Sequence, residues 1–141
     1  MSQSLGLTRV EIGHTVHFRK TVGESDVYLF AGITGDLSPN HTDEEYMKQT
    51  RYGRRIAHGA LLVGYMSTCS TKLIEQAGAT AVSYGYDRIR FVRPVFIGDT
   101  IAIEYRVTAK HEAEAKTVAE VTVTNQHGEV VAVATHILKF L

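Results

Sequence analysis

Two periods divide the chain. From Ser25 to Ala77 apolar residues recur mostly at spacings of three and four, and from Val82 onward they alternate with polar ones, so helices are predicted first and strands afterwards. Ahead of the helices, TVHFRKTV alternates Val16, Phe18 and, less cleanly, Lys20, which predicts a first strand. SDVYLFAGIT opens on the capping-type residues Ser25 and Asp26, carries Val27, Phe30, Ala31 and Thr34 at helical spacing, and stops before Gly35. Thr42 and Glu45 have the spacing of a capping box, in which hydroxyl and carboxylate each satisfy a free backbone N–H, so a second short helix is predicted there. The longest run, AHGALLVGYMSTCSTKLIEQAG, repeats Leu62, Met66, Cys69 and Leu73 and meets a stop at Gly78. Leu61, Val63, Tyr65 and Ile74 spread apolar character round its girth, which predicts a buried helix.

In the second half Ile101, Ile103, Tyr105 and Val107 point one way, Ala119, Val121 and Val123 repeat the pattern, and Val131, Val133 and Ile137 continue it. Gly98-Asp99, HEAEAK and QHGE mark the turns, and connections this short imply antiparallel pairing. One apolar helix and one curved sheet can bury each other, so the expected fold is α+β, a sheet wrapped round a long helix. Its open edges call for a second copy of the chain across a two-fold axis.

The 141 residues contain no repeat, no low-complexity segment and no Pro/Ser-rich linker, and read as one domain over 1–141. That length is short for an enzyme enclosing a large substrate alone, which again favours an oligomer. Lys plus Arg and Asp plus Glu stand at 15 each with a pI of about 7.1, so no basic field exists to gather nucleic acid. The one cysteine, Cys69, can form no internal disulfide, and no apolar run marks a secretion signal or a membrane span, so a soluble cytoplasmic protein is expected.

Candidate chemistry concentrates in GITGDLSPNHTDEEY, where Asp36 and His41 flank Pro39. Proline fixes its own φ and disfavours helical geometry at Ser38, so an extended or turned loop is expected to present both side chains to one spot. His58-Gly59 opens the long helix, whose free N–H groups and dipole favour negative charge. Each feature also has a plainer reading: Gly35-Asp36 as a helix cap and turn, His41 as a residue preceding an N-cap, His58 as a helix-entry imidazole bonded to backbone. His14, His17, His41 and His58 show no paired metal-ligand spacing, and the phosphate-loop, GxGxxG and GxSxG motifs are missing.

YLFAGITGDLSPNHTDEEY, IAHGALLVGYMS and RFVRPVFIGD, in that order and at matching separations, resemble the MaoC-like, R-specific enoyl-CoA hydratases over most of the chain, from about Val22 to the end. The resemblance implies a hot-dog fold, an antiparallel sheet round a central helix with short helices in an overhanging segment, normally dimeric. It also implies reversible addition of water across a 2-enoyl-CoA with no metal or redox cofactor. It carries water activation over to Asp36 and His41 and oxyanion donation to the amide of Gly59, and makes Ser38, Asn40, His58 and Ser67 substrate-side candidates. Ser67 has a rival reading, a hydroxyl bonded back to the carbonyl four residues earlier. Two positions depart from the family pattern: Ser38 stands for an asparagine and Asn40 for an aliphatic residue, and an amide at an acyl pocket would favour a short or polar acyl group. A hot-dog thioesterase and a non-catalytic acyl-CoA binding module are the alternatives. Arg51, Arg54, Arg55, Arg88, Arg90 and Arg93 are the cations from which coenzyme A phosphates could draw a partner, or which form ordinary salt bridges.

Overall fold

The computed structural model describes residues 5–141; Met1–Ser4, the start of the stretch read for a secretion signal, lies outside the described residues. In chain order the elements are α1 (Leu5–Thr8), β1 (Thr15–Thr21), α2 (Glu24–Thr34), α3 (Pro39–Thr42), α4 (Glu44–Lys48), α5 (Gly59–Ala77), β2 (Ala81–Phe91), β3 (Thr100–His111), β4 (Lys116–Thr124) and β5 (Val130–Phe140). Every strand pair is antiparallel, in the order β1-β3-β4-β5-β2, and α5 lies against the inner face of this sheet while α2 to α4 overhang one end. This is the expected hot-dog arrangement.

Helix α5 ends as its sequence predicts, with Gly78 in the left-handed conformation at φ 60° and its N–H on the Glu75 and Ile74 carbonyls. Leu62, Met66, Cys69 and Leu73 are all buried and meet Ile101, Ile103, Tyr105 and Val107 of β3 in one core. Each such side chain contributes about 1.5–3 kcal/mol on leaving water. The helix is not buried all round. Ala60, Gly64, Ser67 and Thr71 form an exposed face in the single chain, because the sheet covers only one side of the cylinder.

Three local expectations shift. Helix α2 starts at Glu24, and Asp26, at its third position, accepts from the Gly23 N–H at 2.8 Å instead of acting as the cap itself. The cap of α4 is Asp43, which accepts from the Tyr46 N–H at 3.0 Å, while the Thr42 hydroxyl donates back to the Leu37 and Ser38 carbonyls. The Thr42–Glu45 capping box is therefore absent: Asp43, one residue later, is the better-placed acceptor. On β5 Val131 is buried as expected, but beyond it the buried residues are Ala132, Ala134, His136, Leu138 and Phe140, while Val133 and Ile137 face the other way. The register slips between Val123 and Thr124, where Val131 is left over as a bulge, and one extra residue inverts the alternation beyond it.

Among the described residues no helix is long and apolar enough to cross a membrane.

Candidate active site

The site forms where the overhang meets the start of α5. Gly35 closes α2 in the left-handed conformation at φ 82° with its N–H on the Ala31 carbonyl, so the chain turns sharply and Asp36 leaves the helix axis. The plain reading of Gly35-Asp36 is thus also correct, since Asp36 Oδ1 accepts a long bond of 3.4 Å from the Ser38 N–H. Beyond it, Pro39 takes the first position of α3, where its missing N–H is no loss. The segment is a single helical turn entered through an extended Ser38, not a continuous loop, and the His41 N–H closes on the Ser38 carbonyl at 2.9 Å.

His41 is buried, and its Nδ1–H donates to the Ile56 carbonyl at 2.7 Å. A carbonyl only accepts, so Nδ1 carries a proton, and in the neutral ring the lone pair is then at Nε2. The Ile56 backbone is itself held: its N–H bonds to the Asn40 carbonyl at 3.0 Å, and the following Ala57 N–H to the Val95 carbonyl at 2.7 Å. His58 is buried behind His41, with ring centroids 3.6 Å apart and planes inclined by 24°, and its Nε2–H donates to the Asp36 backbone carbonyl at 2.9 Å. Phe30 of α2 meets His58 edge-on at 4.8 Å.

A ring nitrogen of His41, one of His58 and a carboxylate oxygen of Asp36 all lie within 4.8 Å of one another. Linear spacing showed no such pairing of histidines; folding brings His41 and His58 together. These three side chains are also the set that could hold a metal ion.

In front of His41 lies a cavity of about 210 Å³ lined by Tyr52, Gly59, Leu62, Phe91 and Pro94 among others. Gly59 is the first residue of α5, where helix geometry provides no carbonyl for its N–H. A Cβ on Gly59 would fall 2.5 Å from the Phe91 ring, so only glycine leaves the aromatic wall in place.

The remaining candidates stand apart. Asn40 is exposed, bonds through its carbonyl and lines no part of this cavity, so the inferred bias toward a short or polar acyl group loses its basis. Ser67 lies on the exposed face of α5, and its carbonyl accepts from the Ser70 hydroxyl; the back-bonding expected of Ser67 belongs to Ser70. Ser38 acts through its backbone.

The arginines separate by their partners. Arg55 is committed to Glu24, Glu44 and the Tyr28 hydroxyl, and clamps α2 to α4. These partners hold its guanidinium charged, and the same contact keeps the Glu44 carboxyl below its usual range. Arg93 lines the cavity and pairs with Glu129 at 3.5 Å. Arg54 rests on the Phe96 ring at 3.9 Å, with no carboxylate partner among the described residues, in a second cavity of about 310 Å³ that shares Arg93 and Pro94 with the first.

Tyr52, Phe91 and Phe30 were not candidates for the site in the sequence, where nothing distinguishes an aromatic wall from core. A further buried polar group lies under α5: His136 bonds Tyr105 at Nδ1 and Ser83 at Nε2, at 2.8 and 2.7 Å, and stacks on Tyr86. It sits at an inward position that the bulge had disguised.

A family model described as a MaoC like domain matches residues 8–131. An (R)-specific enoyl-CoA hydratase from Rhodospirillum rubrum is 37% identical over 99 residues, covering 70% of this chain and 67% of that protein. The enzyme of the same name from Aeromonas caviae is 33% identical over 103 residues, 73% of this chain and 75% of that one. A solved (R)-hydratase from A. caviae, described as involved in PHA biosynthesis, superposes with a TM-score of 0.83 at 27% identity, covering 94% of this chain and 98% of the other.

Proposed function

We propose, on the premise that the chain belongs to the MaoC-like domain family, that it is an (R)-specific hydro-lyase interconverting 2-enoyl-CoA and 3-hydroxyacyl-CoA. The observation that carries the reading is the convergence of the Asp36 carboxylate and the His41 imidazole beside a cavity that also contains Gly59.

The chemistry follows from the donor and acceptor inventory. With His41 neutral and Asp36 ionised, Nε2 and the carboxylate can only accept, so a water between them donates one hydrogen bond to each and turns an oxygen lone pair toward the substrate. Its oxygen bonds to C3 of the enoyl thioester, one of the pair takes a proton, and a proton returns from the pair to C2. Negative charge passes through the thioester oxygen meanwhile, and the Gly59 N–H donates to it. Protein groups supply every proton transfer in this scheme, without a metal or redox cofactor. Arg54, which has no carboxylate partner among the described residues and rests on Phe96 in the adjoining cavity, is the cation this reading assigns to a phosphate of coenzyme A.

The substrate-side cavity opens beside β2, an edge strand that exposes Val82 and Tyr84 and ends in the exposed Phe91, with exposed Val92 just beyond it. A second copy of the chain is the natural cover for that edge, and the active form in this reading is a homodimer. With a water-soluble thioester as substrate, its place is the cytoplasm.

Loss of the conjugated thioester absorbance of crotonyl-CoA tests the function. Asp36→Asn and His41→Ala should each lower kcat by roughly 10²–10⁴-fold with little change in KM, because both groups act mainly in the transition state. Release of free thiol from a saturated acyl-CoA would instead indicate a thioesterase. Tight binding of the thioester without turnover would indicate a binding module.

A further inference from the structure

We infer that His58 is the positioning residue of this site, one imidazole that holds all three of its arms. The inference rests on the hydratase reading for its kinetic test and on geometry alone for its origin. Its Nε2–H grips the Asp36 backbone at 2.9 Å across 22 residues of chain. Its face supports the His41 ring at 3.6 Å. Its own peptide bond leads directly into Gly59, the first residue of α5. Among the described residues no other side chain both bonds Asp36 and stacks on His41.

His58 does this from behind. It is 2% exposed and does not line the substrate-side cavity, whereas His41 and Gly59 do. Lying behind His41 and off the cavity wall, it acts on the reaction through its neighbours.

Two features show that the position is not optimised for stability. His58 is the N-cap of α5, a place where Ser, Thr, Asp or Asn would satisfy a free N–H, yet its side chain makes no cap bond. Its Nδ1 is buried with no hydrogen-bond partner among the described residues. Both are liabilities that a purely structural residue would be expected to remove, and such departures from local consistency gather at functional sites. An aspartate or serine in this place would cap α5, but is too short to reach Asp36 and has no ring to set against His41.

Two substitutions separate the contacts. His58→Phe keeps a ring behind His41 and loses the bond to Asp36. His58→Gln places an amide N–H close to where Nε2 stood and loses the ring. The expected result for His58→Phe is a fall in kcat of about ten- to a hundredfold with KM within about threefold, the scale of a misplacement of about 1 Å. His58→Gln should lie between it and wild type. In an Asp36→Asn background, His58→Phe should cost less than about threefold more, since a residue that works through Asp36 has nothing left to position. An equal loss in both backgrounds, a loss confined to KM, or an unchanged kcat in both variants overturns the inference.

If His58→Phe does not fold, ring-¹⁵N NMR of His41 in His58→Gln decides. Wild type should show the single Nδ1–H tautomer, and the variant a mixture; an unchanged spectrum overturns the inference. The same spectra apply if wild type fails to hydrate crotonyl-CoA, a result that would sink the proposed function and leave this one standing on its own readout.

Discussion

His136 makes the folded state sensitive to mild acid, and the size of the effect follows from where it sits. The ring is fully buried under α5, bonded to the Tyr105 and Ser83 hydroxyls, and burial lowers its pKa from 6.5 to about 4. Unfolded chain takes up the proton near the ordinary value, and folded chain refuses it until about pH 4. Between these values the unfolded state binds more protons, so stability falls as pH falls, and above about pH 6.5 the penalty is absent. At about pH 5 the two binding curves differ by about 2 kcal/mol, and below the folded pKa the full shift amounts to about 3 kcal/mol, out of a total stability of about 5–15 kcal/mol for a domain. Urea unfolding followed by circular dichroism suits the protein, which has no tryptophan. Comparison of wild type with His136→Gln, at about pH 7 and about pH 5 and at one protein concentration, isolates the contribution from that of other histidines and of association. Wild type should lose about 2 kcal/mol more than the variant between the two conditions, a midpoint difference of about 1 M urea. Equal losses in the two proteins would refute the assignment of acid sensitivity to this ring.

Two further outcomes are expected in the site itself. Gly59→Ala drives the Phe91 ring, 2.5 Å from the new Cβ, into the cavity; KM for crotonyl-CoA should rise by about tenfold, and adding Phe91→Leu should restore most of it. Arg54→Ala should raise KM about ten- to a hundredfold for crotonyl-CoA while leaving crotonyl-pantetheine unaffected, the scale of one charge-assisted hydrogen bond to phosphate. Equal effects on both thioesters would remove Arg54 from the phosphate contact.

Local chemistry made much of this protein legible in its sequence. The span of α5 follows from apolar spacing and from Gly78, the strand at Ile101 to Val107 from strict alternation, and the meeting of Asp36 and His41 from the Gly35 turn and Pro39 in a recognisable motif. Spacing, turn and cap interactions span a few residues, so the string of letters contains both partners. Where a competing neighbour stood one position away the reading slipped, as with Asp43 taking the cap from Thr42.

Tertiary structure decided what depends on partners far along the chain. His58 reads alone as a helix-entry imidazole; its grip on Asp36 and its stack on His41 exist only once α2, α3 and α5 converge. Six arginines look alike in sequence, and Arg55 leaves the list of phosphate candidates only because folding brings Glu24, 31 residues away, to its guanidinium. His136 stands in an apolar alternation that predicts it outside, and a single bulged residue turns it inward. Periodicity fixes which elements form, but which face is buried and which charge is already neutralised are properties of pairs, and the members of these pairs are brought together by packing alone.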